Sequence, residues 1–309
     1  MKSFIRWRRR PREPILRLEP TLNASARKTK LKFYIKMVPR SRPPIAILTD
    51  FGYRDNYAGT MKGVIAKIAP QARTIDITHG IPTQSILAGA IALRESWRFF
   101  PAKTIFLAVV DPGVGTARAP IAIETRAGAR FIGPDNGLLS LAANEAKIKR
   151  VVRLSSAKYR LPAVSATFHG RDIFAPAAAW LWRGTALASL GPPTRTITRL
   201  EIPTPIVSAR SIRGEVIYVD GYGNLVTNIP RKVFDSFAAS FRGRPLSIRI
   251  GRGVAIPVLG TYGEARIDAP LALFGSMEYL EIAVRDGSAA ARFKVSPGAA
   301  VSLAAKSRN

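Results

Sequence analysis

Acidic residues follow several apolar segments of this sequence, at the positions where buried strands are predicted to end. Asp50, Asp111 and Asp135 each follow such a run, and Asp220 follows another later in the chain. The carboxyl ends of strands form the ligand crevice of an open α/β sheet. We therefore expect Asp50, Asp111 and Asp135 to face one pocket. The alternative is that each Asp only shapes a turn or caps a helix.

The chemistry that these carboxylates could support is recognition of hydroxyl groups or of a cation. Asp50-Phe51-Gly52 lacks the glycine-rich loop and the catalytic loop that accompany this tripeptide in kinases. The segment 111–116 lacks the Gly-Lys-Ser/Thr ending of a phosphate loop. Carboxylates accept hydrogen bonds from hydroxyl groups and repel phosphates. His79 and His169 both lie beside a glycine near these acids, and their spacing does not decide which of them is functional.

The composition restricts the remaining chemistry. The 309 residues include no cysteine and only two histidines, which excludes disulfides, thiol nucleophiles and thiolate metal sites. Residues 1–43 hold fourteen basic and two acidic residues, so this basic arm contributes +12 of the net charge of +28, and the remaining 266 residues contribute +16. We expect this basic arm to be disordered. Two alternatives are that translation starts at Met37, or that the arm binds RNA or an acidic membrane surface nonspecifically. No apolar run is long enough to span a membrane.

Apolar periodicity predicts that strands alternate with helices as far as about residue 190, a pattern typical of a parallel α/β sheet. The predicted strands are Ile45–Thr49, Arg73–Thr78, Thr104–Val110, Ala119–Glu124 and Arg130–Ile132. The predicted helices cover residues 56–69, 83–100, 138–146 and 172–190.

Beyond residue 214 the pattern changes to short alternating runs separated by Gly, Pro and Asp, which predicts a small antiparallel barrel or sandwich. The predicted strands there are Glu215–Val219, Leu246–Ile250, Val254–Val258, Tyr279–Val284 and Ala291–Val295. We expect four parts: the arm (1–43), an α/β domain (44–192), a linker (193–210) and a β-barrel domain (211–309).

Eight short motifs occur in order between Ile45 and the C-terminus. They are Thr49-Asp-Phe-Gly52 with Asp55, Asp76-Ile-Thr-His79, Val110-Asp-Pro-Gly-Val-Gly115, Gly133-Pro-Asp-Asn-Gly137, Thr167-Phe-His-Gly-Arg-Asp172, Asp220-Gly-Tyr-Gly-Asn224 with Thr227-Asn228, Gly275-Ser276 and Leu280-Glu-Ile-Ala283. Together they resemble the S-adenosyl-L-methionine (SAM) hydroxide adenosyltransferases, or SAM hydrolases, which are relatives of the SAM-dependent fluorinase and chlorinase.

The resemblance implies a Rossmann-like, three-layer α/β domain with a parallel sheet, a C-terminal all-β barrel and a homotrimer. The substrate would lie between the first domain of one subunit and the second domain of its neighbour. It also implies a catalytic triad of Asp111, Arg118 and His169. Halogenating relatives replace these positions, so their presence here favours water over a halide as the nucleophile.

The resemblance further implies substrate contacts at matching positions. These are Asp50 on the ribose hydroxyls, Asp55, Asp220 and Ser276 near the methionine portion, Asn224 at adenine, and Tyr222 and Tyr262 as stacking rings. Met277 departs from the Glu or Arg expected after Ser276.

The implied reaction is attack of water at C5′ of SAM, giving adenosine and L-methionine, with either Asp111 or His169 as the base. We expect a cytoplasmic enzyme with no cofactor, no metal, no membrane association and no specific nucleic-acid partner. The alternatives are a SAM-dependent halogenase and a non-catalytic protein that binds SAM or nucleic acid.

Overall fold

The computed structural model of the protein describes residues 42–241, 246–251, 253 and 255–305. All of the elements below belong to one compact unit, Pro43–Asn309. The predicted disorder of the basic arm falls on residues 1–41, outside the described residues. Within the part of the chain that the structure describes, no helix is long and apolar enough to cross a membrane.

The first half of this unit is built on a seven-stranded sheet with the strand order β2-β1-β3-β5-β4-β6-β7. Its strands are β1 (Ile45–Thr49), β2 (Thr74–Thr78), β3 (Ile105–Val109), β4 (Pro120–Thr125), β5 (Arg130–Pro134), β6 (Ile148–Arg153) and β7 (Pro193–Thr194). The first four strands in this order pair in parallel, as predicted. Strands β4, β6 and β7 pair antiparallel, so the sheet is mixed.

The sequence did not predict β6. Its six residues Ile148-Lys-Arg-Val-Val-Arg153 include three basic side chains, and only Val151 and Val152 are buried. A strand near the edge of a sheet needs few apolar residues, so its periodicity is weak.

Helices cover both faces of this sheet. They are α1 (Tyr57–Ile68), α2 (Ile86–Ser96), α3 (Ser140–Glu145) and α4 (Ala175–Arg183), with short 3₁₀ turns at Trp97–Phe99, Ala157–Tyr159 and Leu187–Leu190. Side chains alternate across a strand, so Ile45 and Ile47 of β1 pack with α1 and α4, whereas Ala46 and Leu48 pack with α2 and α3.

The predicted helix over residues 172–190 is interrupted. It begins as a π-helical turn, Gly170–Phe174, which continues into α4. It ends at Arg183 because Gly184 adopts a left-handed conformation with φ 105°, a common way to terminate a helix.

The second half of the unit is an eight-stranded antiparallel sheet that curls into a nearly closed barrel. Its strands are β8 (Ile206–Val207), β9 (Ser211–Val219), β10 (Leu225–Pro230), β11 (Leu246–Ile250), β12 (Ile256–Pro257), β13 (Pro270–Phe274), β14 (Tyr279–Val284) and β15 (Ala300–Ala305). Seven of them follow the order β12-β11-β15-β9-β10-β14-β13, and β8 pairs with β9. A bridge between Val258 and Ala272 brings the two ends of this sheet together.

Two helices accompany the barrel, α5 (Arg231–Ala239) and α6 (Ala289–Phe293), and the sequence predicted neither. The predicted strand Ala291–Val295 is wrong, because α6 begins after Ser288, whose hydroxyl accepts a hydrogen bond from the Ala291 amide. In such a short segment the N-cap outweighs the apolar alternation. The predicted strand Val254–Val258 is reduced to β12, and Val254 itself lies outside the described residues.

The two sheets are joined through α2. Ile91 on this helix packs against Ile217 and Val226 of the barrel, and Arg94 lies over the ring of Tyr279. The predicted linker, 193–210, contains β7, which pairs with β6, and β8, which pairs with β9. The proposed division of the chain into four parts stays a prediction.

Candidate active site

A cavity of about 410 Å³ lies at the carboxyl ends of β1 and β3, where Asp50 and Asp111 follow these strands. We call it the first cavity. Its lining combines acidic, aromatic, uncharged polar and aliphatic residues and includes no Lys or Arg among the described residues. The lining residues are Asp50, Phe51, Asp55, Tyr57, Thr83, Gln84, Val109, Asp111, Pro112, Val114, Thr167, Phe168, His169 and Gly170. The predicted convergence of Asp50 and Asp111 on one pocket is confirmed.

Asp135 does not line this cavity, contrary to the expectation from its position after a strand. Its carboxylate accepts a hydrogen bond from the Thr198 amide at 2.7 Å, and the Thr198 hydroxyl donates to its carbonyl. Asp135 therefore fastens the chain that follows β7, which is the turn-forming role that we considered as the alternative.

Arg118 joins Asp111 to His169. The Arg118 Nε donates to Asp111 Oδ1 at 2.8 Å, and its Nη2 contacts both Asp111 Oδ2 and His169 Nδ1, the latter at 2.8 Å. The side chains of Arg118 and Asp111 are only 9% and 6% exposed. The guanidinium also lies over the ring of Phe174, 5.3 Å from its centroid. We call these three residues the triad.

The position of Arg118 fixes the protonation state of His169. A guanidinium has only donors, so Nδ1 of His169 must accept, and the ring proton of the neutral imidazole is on Nε2. Burial lowers the pKa of His169, and the positive charge of Arg118 lowers it further. His169 is therefore neutral at pH 7 and presents a donor rather than a free lone pair at Nε2.

The loop that carries Asp111 and Arg118 folds tightly because of its glycines. The amide of Val114 donates to the Asp111 carbonyl and that of Thr116 to the Gly113 carbonyl. Gly115 adopts φ 79°, and a Cβ on it would lie 2.5 Å from the carbonyl oxygen of Ala166. Its lack of a side chain lets this loop reach the segment that leads into His169.

Asp50 is held by the segment that follows β2. Its Oδ2 accepts from the Gln84 amide at 2.8 Å, and the next turn is tied by the Gly52 amide, which donates to the His79 carbonyl at 2.7 Å. The Thr49 hydroxyl lies 2.7 Å from His79 Nδ1 and accepts from the Phe51 amide. These contacts leave the other oxygen of Asp50 available to a ligand.

His79 is a structural residue, which separates the two histidines that spacing alone left equivalent. It is completely buried, with Nε2 lying 3.2 Å from Asp76 Oδ1. Burial lowers the pKa of His79 despite this carboxylate. Lys62 in turn contacts Asp76 at 2.6 Å. His79 therefore supports the loop of Asp50 from behind, whereas His169 lines the cavity.

A second cavity, of about 490 Å³, lies on the barrel and shares no lining residue with the first. Its lining is Tyr222, Asn224, Tyr262, Val284, Arg285, Asp286 and Gly287. Three of the predicted adenine-contacting residues therefore come together here. The sequence missed Arg285, which donates to the carbonyls of Gly263 and Ala265 and so holds the loop of Tyr262.

The other predicted substrate residues are more scattered. Asp220 accepts hydrogen bonds from the amides of Tyr222 and Asn224 and from the Asn224 side chain, so it shapes the turn beside the second cavity. Asp55 is exposed and lines the first cavity. Ser276 is exposed between β13 and β14 and lines neither cavity.

One buried acid lies in the Leu280-Glu-Ile-Ala283 motif, but the sequence analysis assigned it no role. Glu281 on β14 is 7% exposed and accepts a hydrogen bond from the Tyr262 hydroxyl. The signal that could have identified it is a carboxylate in the middle of the apolar strand Tyr279–Val284, since ionisable residues are seldom buried without a partner. Among the described residues, no group of three or more His, Asp or Glu side chains is arranged to hold a metal ion.

Comparison with known proteins identifies the family. The model of the SAM hydroxide adenosyltransferase N-terminal domain matches residues 45–191, and that of the C-terminal domain matches residues 214–302. The chain belongs to this family. A curated relative named (R)-S-adenosyl-L-methionine hydrolase, from Thermus thermophilus, is 38% identical over 84% of this chain and 99% of its own. A relative of the same name from Salinispora tropica is 38% identical over 83% of this chain and 95% of its own.

More distant members carry a different name. A protein named fluorinase, from Nocardia brasiliensis, is 27% identical over 85% of this chain and 97% of its own. Among solved structures, an uncharacterized conserved protein from Thermotoga maritima superimposes with a TM-score of 0.76 at 35% identity, covering 84% of this chain and 99% of that one. The two family models thus cover most of the α/β half and most of the barrel half of the protein.

Proposed function

We propose that this protein hydrolyses SAM to adenosine and L-methionine by attack of water at C5′ of the ribose. The observation that carries the proposal is the triad, in which one guanidinium holds a carboxylate and a neutral imidazole at the first cavity. The hydrolase name of the relatives at 38% identity supports the same reaction.

The first cavity suits a cationic substrate. Asp50, Asp55 and Asp111 line it, and the rings of Phe51, Tyr57 and Phe168 contact one another there with centroids 5.1–5.8 Å apart. Carboxylates and aromatic faces both stabilise a positive charge. The sulfonium of SAM carries such a charge.

The reaction needs a positioned water and a proton acceptor but no general acid. As the bond from the water oxygen to C5′ forms, the bond from C5′ to sulfur breaks and its electron pair neutralises the sulfonium. The methionine thioether thus leaves uncharged. The attacking water becomes acidic during this step, so a weak base positioned near it is sufficient. No step of this route requires a metal.

We infer that Asp111 accepts the proton and that His169 orients the water. Nδ1 of His169 is occupied by Arg118 and Nε2 carries the ring proton, so the imidazole donates a hydrogen bond. Each carboxylate oxygen of Asp111 has a lone pair beyond those engaged by Arg118. The Arg118 guanidinium contacts both neighbours and so positions them.

Protonation of His169 at low pH should lower the activity, and the surroundings of His169 should shift this change to a lower pH than usual. We expect kcat/KM to stay level as the pH falls through 6.5, the usual pKa of histidine, and to decline only below it. Protonated Nδ1 can no longer accept from Arg118, and the lowered pKa delays this event to a lower pH. A pH profile of the purified enzyme checks it. In the His169→Gln variant, the fall in kcat/KM that is caused by protonation of His169 should be absent. A fall in the wild-type kcat/KM centred above pH 6.5 would contradict the lowered pKa of His169.

We further propose that the second cavity of a neighbouring copy completes the substrate site in a homotrimer. Tyr222 and Tyr262 would stack on adenine and Asn224 would contact its edge, with Asp220 and Ser276 near the methionine portion. Tyr222 is 83% exposed, as expected of a ring that awaits a partner surface. We also propose that the α/β half is a Rossmann-like, three-layer domain, which the helices on both faces of its sheet support. The proposed location of the enzyme is the cytoplasm.

Product analysis tests the proposed function. Purified protein incubated with SAM should release adenosine and methionine in equal amounts, with and without chloride or fluoride and in the presence of EDTA. A halogenated adenosine in the halide samples would indicate a halogenase instead. Unchanged SAM in all samples would indicate a binding protein, and loss of activity in EDTA would contradict a metal-free reaction.

Replacing Asp50 should weaken substrate binding more than catalysis. We expect Asp50→Asn to raise the Kd for SAM at least about tenfold, the value of one or two hydrogen bonds between a charged carboxylate and the ribose hydroxyls. The amide oxygen of Asn can still accept from Gln84, so the loop should keep its place. Calorimetry measures Kd, with Asp135→Asn as the matched control. An unchanged Kd in Asp50→Asn would argue against the ribose contact.

A further inference from the structure

Glu281 is a buried acid that contacts Tyr262 of the second cavity without lining that cavity itself, and its surroundings are unusual for a carboxylate. It lies in the middle of β14, where its neighbours Leu280 and Ile282 face the apolar core of the barrel. The pairing strands place Leu273 and Val226 opposite it. A buried carboxylate costs free energy unless its oxygens are satisfied, so its partners indicate what it holds in place.

One of these partners is Tyr262. The tyrosine hydroxyl donates to Glu281 Oε1 at 2.5 Å, while the ring of the same residue lines the second cavity. Burial raises the pKa of Tyr262, and the hydrogen bond to Glu281 raises it further, so the hydroxyl remains a donor throughout the physiological range. The direction of this hydrogen bond is therefore fixed.

The second contact of Glu281 is with the turn that carries Ser276. A Cβ built on Gly275 would lie 2.6 Å from Glu281 Oε2, so the carboxylate rests directly against this turn. Burial raises the pKa of Glu281, and the nearby charge of Asp220 acts in the same direction. Glu281 thus lies between two parts of the proposed substrate site and close to a third.

Little else orients the Tyr262 ring. It projects from a one-turn 3₁₀ segment, Tyr262–Glu264, and is 44% exposed. Arg285 holds the backbone of this loop through the carbonyls of Gly263 and Ala265, at 3.0 and 2.7 Å. Backbone contacts leave the side chain free to rotate, and the hydroxyl contact with Glu281 removes that freedom.

We propose that Glu281 is a positioning residue that holds the Tyr262 ring and the Gly275–Ser276 turn in the geometry that binds the substrate. This inference rests on the proposed function, in which Tyr262 contacts adenine. Glu281 is expected to affect substrate binding and not the chemical step, because its partner Tyr262 lines the second cavity whereas the triad lies at the first. A structural role confined to the barrel core would instead alter stability alone.

A double-mutant cycle tests the proposal on the full-length protein. We expect Tyr262→Phe and Glu281→Leu each to raise the KM for SAM about five- to tenfold, the usual net value of one hydrogen bond, with kcat changed less than about twofold. The double variant should be no worse than the poorer single variant, because both changes remove the same contact. Glu281→Gln keeps an acceptor and should stay within about threefold of the wild type.

The matched control is Glu278→Gln, which changes an acid three residues earlier that pairs with Arg231 and lines neither cavity. Thermal unfolding and size-exclusion chromatography verify that each variant is folded and assembled. If Glu281→Leu does not fold, Tyr262→Phe removes the same hydrogen bond from the exposed side and carries the test.

An unchanged KM in Tyr262→Phe, additive effects in the cycle, or a loss confined to kcat would overturn the proposal. If the wild type binds SAM without hydrolysing it, the proposed function fails, and the same cycle measured as Kd by calorimetry tests Glu281 independently. If the wild type neither binds nor hydrolyses SAM, the proposed function and the positioning role of Glu281 are both wrong.

Discussion

Replacing Asp111 by Asn is expected to lower kcat for SAM hydrolysis by about a hundredfold to ten-thousandfold, the range of a positioned base. The amide cannot accept the proton of the attacking water. It also directs an N–H toward the guanidinium of Arg118, where the wild type has two acceptors. Single-turnover measurement with saturating SAM isolates this step from substrate binding.

The matched control is Asp135→Asn, another acid that follows a strand but lies outside the first cavity. Its amide oxygen can still accept from Thr198, so we expect near-wild-type turnover. Arg118→Ala and His169→Ala should each cost at least about tenfold. The three losses should not add, because one guanidinium holds both partners. Wild-type rates in all three triad variants, with the fold intact, would refute the assignment of the triad.

Gly115→Ala is expected to lower kcat/KM by about a hundredfold although residue 115 has no side chain in the reaction. A Cβ there would lie 2.5 Å from the carbonyl oxygen of Ala166, so the loop of Asp111 and the segment of His169 must separate. A displacement of about 1 Å in a reacting group is enough for such a loss. The left-handed φ of 79° adds about 1–3 kcal/mol of strain, so the unfolding free energy should fall as well.

Gly113→Ala is the matched control in the same loop. A Cβ on Gly113 would meet Thr116 and Arg118 at 3.4 and 3.5 Å, which is ordinary contact, and its φ is not in the left-handed region. We expect its activity to stay within about threefold of wild type, because the added methyl group creates no clash. Parallel measurement of kcat/KM and of urea unfolding for both variants is decisive. Equal activity in Gly115→Ala and Gly113→Ala would show that catalysis does not need the close approach of Gly115 to the carbonyl of Ala166.

The strand ends illustrate how far a sequence pattern can be followed. The apolar run before Asp50 and the one before Asp111 both form parallel strands, and both acids reach the first cavity. Asp135 also follows a largely buried strand, yet it binds the chain beyond β7. The pattern identifies the end of a strand, but the partners of the side chain depend on segments distant in sequence.

Short elements and the roles of buried polar residues were not predicted, because each depends on a single contact or on a partner distant in the sequence. Helix α6 replaced a predicted strand because one hydroxyl cap decides a five-residue segment. His79 and His169 have similar sequence neighbours, but only the packing of β1 against β2 buries His79. Glu281 acquires its role from Tyr262, nineteen positions away along the chain.

By itself, the sequence determined the two halves of the fold, the order of the motifs and the family, since periodicity and motif spacing are local properties that survive without coordinates. The family resemblance already favoured His169 over His79, but only the tertiary structure decided that Arg118 lies between Asp111 and His169 and which tautomer His169 adopts. These properties depend on the distance between two loops whose contacting residues, Arg118 and His169, lie 51 positions apart in the sequence. Such distances are set by the pairing of strands and by the close approach at Gly115, neither of which any single segment encodes.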